Sequence, residues 1–151
     1  MQAKISKINK LVDEGYVLTR TKYGFVDFKN SSGRSVNIFG LFRSPAGFSW
    51  IAFFFPFAVC SQIKEWSYFY YCGILLAIAS LIQGITGFEA GSAVGIAIGV
   101  QYAYMFPYLR KIASDSGVVD SSVGKSIVIG ILLSILAAIP SMIIDGVFAF
   151  F

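Results

Sequence analysis

The sequence predicts an all-α membrane protein: a small helical bundle of three spanning helices plus a re-entrant or interfacial aromatic segment, with a small cytoplasmic α+β domain at the N-terminus. Three observations lead there. The 151 residues are 56% hydrophobic and only 13% charged, with mean hydropathy +0.73. Soluble domains hold about 45–50% apolar and about 25% charged residues, and a soluble chain of this length has no interior large enough to hide the excess. Four apolar stretches, 46–63, 67–88, 91–109 and 126–151, each reach the roughly 17 residues that a membrane crossing needs. The basic residues cluster outside those stretches, so the net charge of +4 reads as positive-inside bias.

Residues 1–40 form the N-terminal domain. In "QAKISKINKLVDEG", Ile5, Ile8 and Leu11 share one helical face, with Val12 beside them and Lys4, Lys7 and Lys10 on a neighbouring face. Gly15 is placed to stop the helix. The β-branched and aromatic residues that follow, with the turn "NSSG", predict a three-stranded meander over about 16–21, 24–29 and 34–39. A unit of about 40 residues has a very small core, so it is expected to lean on the membrane portion or on a partner. The connector, 41–47, carries Pro45 and Gly47 and turns. Arg43 marks the interface.

The membrane domain, 48–151, opens with "GFSWIAFFFPFAVCSQIKEW", and topology turns on this segment. Eight of the twelve Lys and Arg precede it: Lys4, Lys7, Lys10, Arg20, Lys22, Lys29, Arg34 and Arg43. If all four segments span from an inside N-terminus, Lys64, Arg110, Lys111 and Lys125 face outside. If the first segment turns back, all twelve basic residues lie inside and the outer loop holds only Glu89. The positive-inside rule favours the second arrangement, and Pro56, which removes a backbone donor mid-segment, agrees. Phe48, Trp50, Phe53, Pro56 and Trp66 then form a membrane wedge anchored on the cytoplasmic face. Four full spans are the alternative.

Small residues mark helix-packing faces. Gly91, Gly95 and Gly99 recur every four residues and continue to Ala103; Ser126, Gly130, Ser134 and Ala138 do the same in the fourth segment. The second segment carries Gly73, Ala77, Ser80, Gly84 and Gly87 at looser spacing. The third and fourth stripes are expected to pack on each other within one subunit, with self-association as the alternative. Gln83, Gln101 and Thr86 read as hydrogen-bonding glue, or as the lining of a polar pore. Asp145 is the one acid inside an apolar run, a functional candidate by default. It lies roughly 30 Å of helix beyond Lys125, near the far interface, where Gly146 is expected to end or bend the helix.

Catalytic patterns are not found. The chain has no histidine and no Walker loop, dinucleotide fingerprint or HExxH. Cys60 and Cys72 sit in apolar segments outside any CxxC pair and read as small hydrophobes. Asp115 and Asp120 share a connector that reads as solvated rather than cation-binding. No enzyme activity, cofactor, metal or nucleic-acid partner is expected; the expected partners are membrane lipid and another protein or a second copy.

"FSWIAFFFPF" followed by "QIKEWSYFYY" resembles an uncharacterised family of bacterial inner-membrane proteins, domain of unknown function 2628. Phe48, Trp50, Ala52 and Phe53 match its aromatic opening, with Ser49 where Asn is usual; Lys64 and Trp66 match the next part. "QYAYMFPYLRK" is similar to the end of its last core helix, with Gln101 where Asn is commoner. The resemblance covers about residues 40–112 and implies the bacterial inner membrane without implying an activity. "INKLVDEGYVLTRTKYGFVDF" also resembles a helix-plus-strands element that precedes spans in bacterial and phage membrane proteins. The functional expectation is a structural or interaction subunit that binds another protein. A small homo-oligomeric transporter or channel, and an immunity or phage-exclusion factor, are the alternatives.

Overall fold

The computed structural model describes residues 1–21, 24–39 and 44–150. Lys22, Arg43 with its expected interfacial position, and residues 41–43 of the connector lie outside the described residues. The order is helix α1 (Gln2–Asp13), strands β1 (Tyr16–Arg20) and β2 (Val26–Asn30), then helices α2 (Trp50–Phe54), α3 (Pro56–Gln62), α4 (Ser67–Thr86), α5 (Gly91–Asp115) and α6 (Val123–Phe148).

The N-terminal unit follows its pattern with one exception. Ile8 is fully buried, and α1 closes on Gly15 at φ +90°. β1 and β2 pair antiparallel, Tyr16 opposite Asn30 and Arg20 opposite Val26. The expected third strand is not formed: among the described residues, 34–39 contribute one bridge, Ser35 to Lys29. Local side-chain bonds divert the chain. The Asn30 carboxamide oxygen accepts from the Arg34 amide, and that of Asn37 accepts from the Phe39 amide, turning the backbone out of the ladder.

The aromatic segment is two short helices broken at Phe55, which has φ −130° and ψ 49°. Pro56 causes the break. It disfavours helical geometry at the preceding residue and has no N–H for the preceding turn, while serving well as the first residue of α3. At 1.5 Å per residue, five and seven residues give arms of about 8 and 10 Å, far short of the roughly 30 Å of a bilayer core. A single continuous helix through 46–63 is therefore replaced by a hairpin.

Neighbours give the direction of each arm. The Ser49 amide donates to the Ala103 carbonyl, and Phe53 lies against Gly99, so α2 descends alongside α5. Phe57 lies against Gly130, and the Gln62 carbonyl accepts from the Ser121 amide, so α3 climbs back along α6. α4 and α6 run parallel, with Gly73 against Ala137 and Gly84 against Phe148. α5 returns in the opposite sense, bringing Tyr102 to Ser67 at the start of α4.

The core sits where α1, the sheet, the hairpin and α5 meet. Residues 102–109 of α5 are buried on every face; Tyr102, Phe106 and Tyr108 join Ile8, Phe28 and Ile63 in one cluster. The lower bundle is different. α4 and α6 are long and apolar enough to cross a membrane, at mean hydropathy 1.7 and 2.7, yet only 17% and 6% of their most apolar stretches are buried. α5, expected to be a third span over 91–109, does not reach that hydropathy; it runs on to Asp115, and the polar stretch after Leu109 pairs within the helix through Lys111 and Asp115.

Candidate functional site

The hairpin is the most elaborately held part of the molecule. Its first anchor begins with Pro107. Lacking an N–H, Pro107 cannot bond the Ala103 carbonyl one turn back, and that freed carbonyl accepts the Ser49 amide at 3.0 Å. The Lys4 ammonium donates to the neighbouring Phe48 carbonyl; burial, then Lys7, holds the Lys4 pKa below the ordinary lysine value. The Phe48 ring packs edge-on against Trp50 and Tyr104, with centroids 4.9 and 5.2 Å apart.

The second anchor ends α3. The Glu65 amide donates to the Cys60 carbonyl at 2.7 Å and the Lys64 amide to the Ser61 carbonyl at 3.1 Å. These are the paired bonds of a Schellman turn, whose left-handed position usually takes glycine. Here it is Lys64, the only non-glycine at positive φ (57°) among the described residues. The turn delivers the Glu65 carboxylate, 6% exposed, to the Arg20 guanidinium of β1 at 2.5 Å. The same carboxylate oxygen accepts from the Ser67 amide at 3.2 Å and from the Ser67 hydroxyl. With its proton committed to Glu65, Ser67 is left as acceptor for the Tyr102 hydroxyl 2.9 Å away. Four elements meet there: β1, the end of the hairpin, α4 and α5. Tyr108 makes a parallel link, its hydroxyl 3.3 Å from the Ser44 hydroxyl and accepting from the Ala46 amide.

Both ends of the hairpin thus lie against residues 102–104 of α5, at the end of the molecule that holds α1 and the sheet. Between its arms and the long helices, small residues make room. A β-carbon at Gly99 would meet the Phe53 ring at 3.6 Å, an ordinary contact, whereas one at Gly130 would stand 2.6 Å from the Phe57 carbonyl oxygen. The expected seam between the third and fourth segments is accordingly not formed. No Cα atoms of α5 and α6 come within 8 Å of each other, because the hairpin is inserted between them and each stripe presents one glycine to it. Gly91 and Gly95 face open space. Ser134 is half-buried and returns its hydroxyl to the Gly130 carbonyl, and the Ala138 carbonyl accepts from Ser141.

Of the wedge residues, Trp50 and Trp66 are exposed at 67% and 49%, as are Phe54 and Phe55, while Phe53 and Pro56 are half-buried. Trp50 stacks on Phe54 at 19° between ring planes, a ridge facing away from the core. The polar candidates do not converge. Gln83 is exposed on α4, Gln101 reaches the Met105 sulfur at 3.8 Å, and the Thr86 hydroxyl bonds the Ile82 carbonyl. Asp145 is exposed in a helix that continues through Gly146 to Phe148, so the expected break at Gly146 is not found. Asp115 and Asp120 pair with Lys111 and Arg110, and the described residues contain no cluster of metal-ligating side chains.

Sequence reasoning missed Glu65, Pro107, Tyr102 and Tyr108. For Tyr102 and Tyr108 the signal was the run "QYAYMFPYL", whose phenolic hydroxyls inside an apolar helix each require a partner. No known protein family, curated protein or solved structure matches the chain.

Proposed function

We propose that this chain is a small integral protein of the bacterial inner membrane, with its N-terminal unit on the cytoplasmic side, acting as a non-catalytic structural or interaction subunit. The observation that carries the reading is the pair of long apolar helices whose surfaces are almost wholly uncovered; a lipid environment suits them, since a helix bonds most of its backbone groups internally. Charge placement supports the orientation. Lys4, Arg20, Lys64, Arg110, Lys111 and Lys125 gather at the end holding the sheet and both hairpin ends, while Glu89 and Asp145 occupy the other. The hairpin then enters the cytoplasmic leaflet and returns, and its Trp50–Phe54 ridge is the surface offered to a partner protein. Of the residues resembling domain of unknown function 2628, Phe48, Trp50, Ala52 and Phe53 lie at its descending arm, Lys64 and Trp66 follow its return, and 101–111 belong to α5.

Single cysteines at Lys64 and at Glu89, in a chain with Cys60 and Cys72 replaced by alanine, test the topology with a membrane-impermeant thiol reagent. Only Glu89→Cys is expected to label in intact cells, and Lys64→Cys only after lysis; external labelling at Lys64 overturns the re-entrant hairpin. A photo-crosslinker at Phe54 is expected to give a discrete protein adduct, whereas lipid adducts alone would remove the subunit reading.

A further inference from the structure

Two adjoining cavities flank the hairpin on the side facing α6 and α1. The first, about 360 Å³, is apolar and lined by Phe55, Phe57, Val123 and Ile127, with Ser126 at its floor. That is within the range of small-molecule sites. The second, about 470 Å³, is mixed in character and brings Lys4 and Arg110 together beside Phe48 and Trp50. Ile51, Val59 and Gln62 line both, so an apolar slot opens directly into a basic one. The two basic side chains come from distant parts of the sequence, α1 and the end of α5. Arg110 already has Asp120 at 2.6 Å, a residue that lines a neighbouring cavity and not this one. Lys4 donates to a neutral partner, the Phe48 carbonyl, and burial and Lys7 both disfavour its charge.

From this juxtaposition we infer that the chain carries a site for one anionic phospholipid: the phosphate between Lys4 and Arg110, and one acyl chain between α3 and the start of α6. Charge complementarity selects the head and the apolar slot selects the tail. A soluble phosphate ester satisfies only the second, basic cavity and a neutral lipid only the first, apolar one. The inference rests on the membrane reading above, since the slot opens on the face that reading places in lipid. An occupied slot wedges α3 against α6, so this lipid also supports the hairpin.

The test is native mass spectrometry of protein released from vesicles of phosphatidylcholine alone or of equal parts phosphatidylcholine and phosphatidylglycerol. The wild-type chain is expected to retain one phosphatidylglycerol and no phosphatidylcholine. Lys4→Gln and Arg110→Gln should each lower retention roughly five-fold, the scale of one basic side chain at an anionic surface. Ile127→Trp, which fills the slot, should abolish it, while Lys10→Gln, outside both cavities, should leave it unchanged. Equal retention of both lipids, or an equal loss in Lys10→Gln, overturns the site in favour of general surface attraction. Failure to enter vesicles of either composition would instead overturn the membrane reading, and the lipid site with it.

Discussion

At single residues, the hairpin's anchors are unusual choices, and each makes a distinct forecast. Lys64 holds a left-handed conformation that costs an L-residue about 1–2 kcal/mol. Lys64→Gly is expected to raise unfolding stability in detergent by roughly 1 kcal/mol; lower stability would show that the lysine makes a compensating contact. Pro107 acts by what it lacks. Pro107→Ala supplies a donor that competes for the Ala103 carbonyl, so the Ser49 amide should exchange its hydrogen faster while β2 amides keep their rate. Glu65→Ala strips a buried acceptor from Arg20 and Ser67 and should cost about 1–3 kcal/mol, with Glu65→Gln milder because it still accepts from the Ser67 amide. The Ser61 hydroxyl, buried with no partner, has no role that the structure explains.

Between elements, the two glycine stripes have the same spacing but different consequences. Gly130 admits the α3 backbone and Gly73 admits that of α6, where a β-carbon would lie 3.0 Å from the Ala137 carbonyl oxygen. Gly130→Ala is expected to cost about 1–3 kcal/mol by overpacking. Gly95→Ala, facing open space, should gain up to about 1 kcal/mol of helix propensity. Thermal unfolding of both variants checks the pair, and a marked loss in Gly95→Ala would show that a second molecule covers the α5 stripe. Stripe periodicity marked where backbones approach closely. It did not say which element approaches, because a helix face recognises small volume and not the identity of its neighbour.

For the whole molecule, the proposed orientation rests on segregation of charge. Basic residues at the far end should therefore conflict with it. Glu89→Lys combined with Ser92→Lys is expected to reduce correctly oriented protein, read as cytoplasmic thiol labelling at an added Ala90→Cys in the cysteine-free chain. Unchanged orientation would mean that the N-terminal basic cluster dominates alone. The N-terminal unit and the hairpin form one core with α5, so the α+β element expected to need support finds it in Tyr102, Phe106 and Tyr108.

Local chemistry alone determined the break at Pro56, the stop at Gly15, the apolar lengths of α4 and α6 and the one-sided distribution of charge, because each depends on neighbouring residues or on composition. The tertiary structure alone decided that the aromatic segment lies between α5 and α6, that 34–39 leaves the sheet after a single bridge, and that Glu65, Ser67, Tyr102 and Arg20 meet. Those outcomes depend on residues as many as 82 positions apart, Arg20 and Tyr102, competing for the same buried space and the same few hydrogen-bond partners, a competition that no local pattern records.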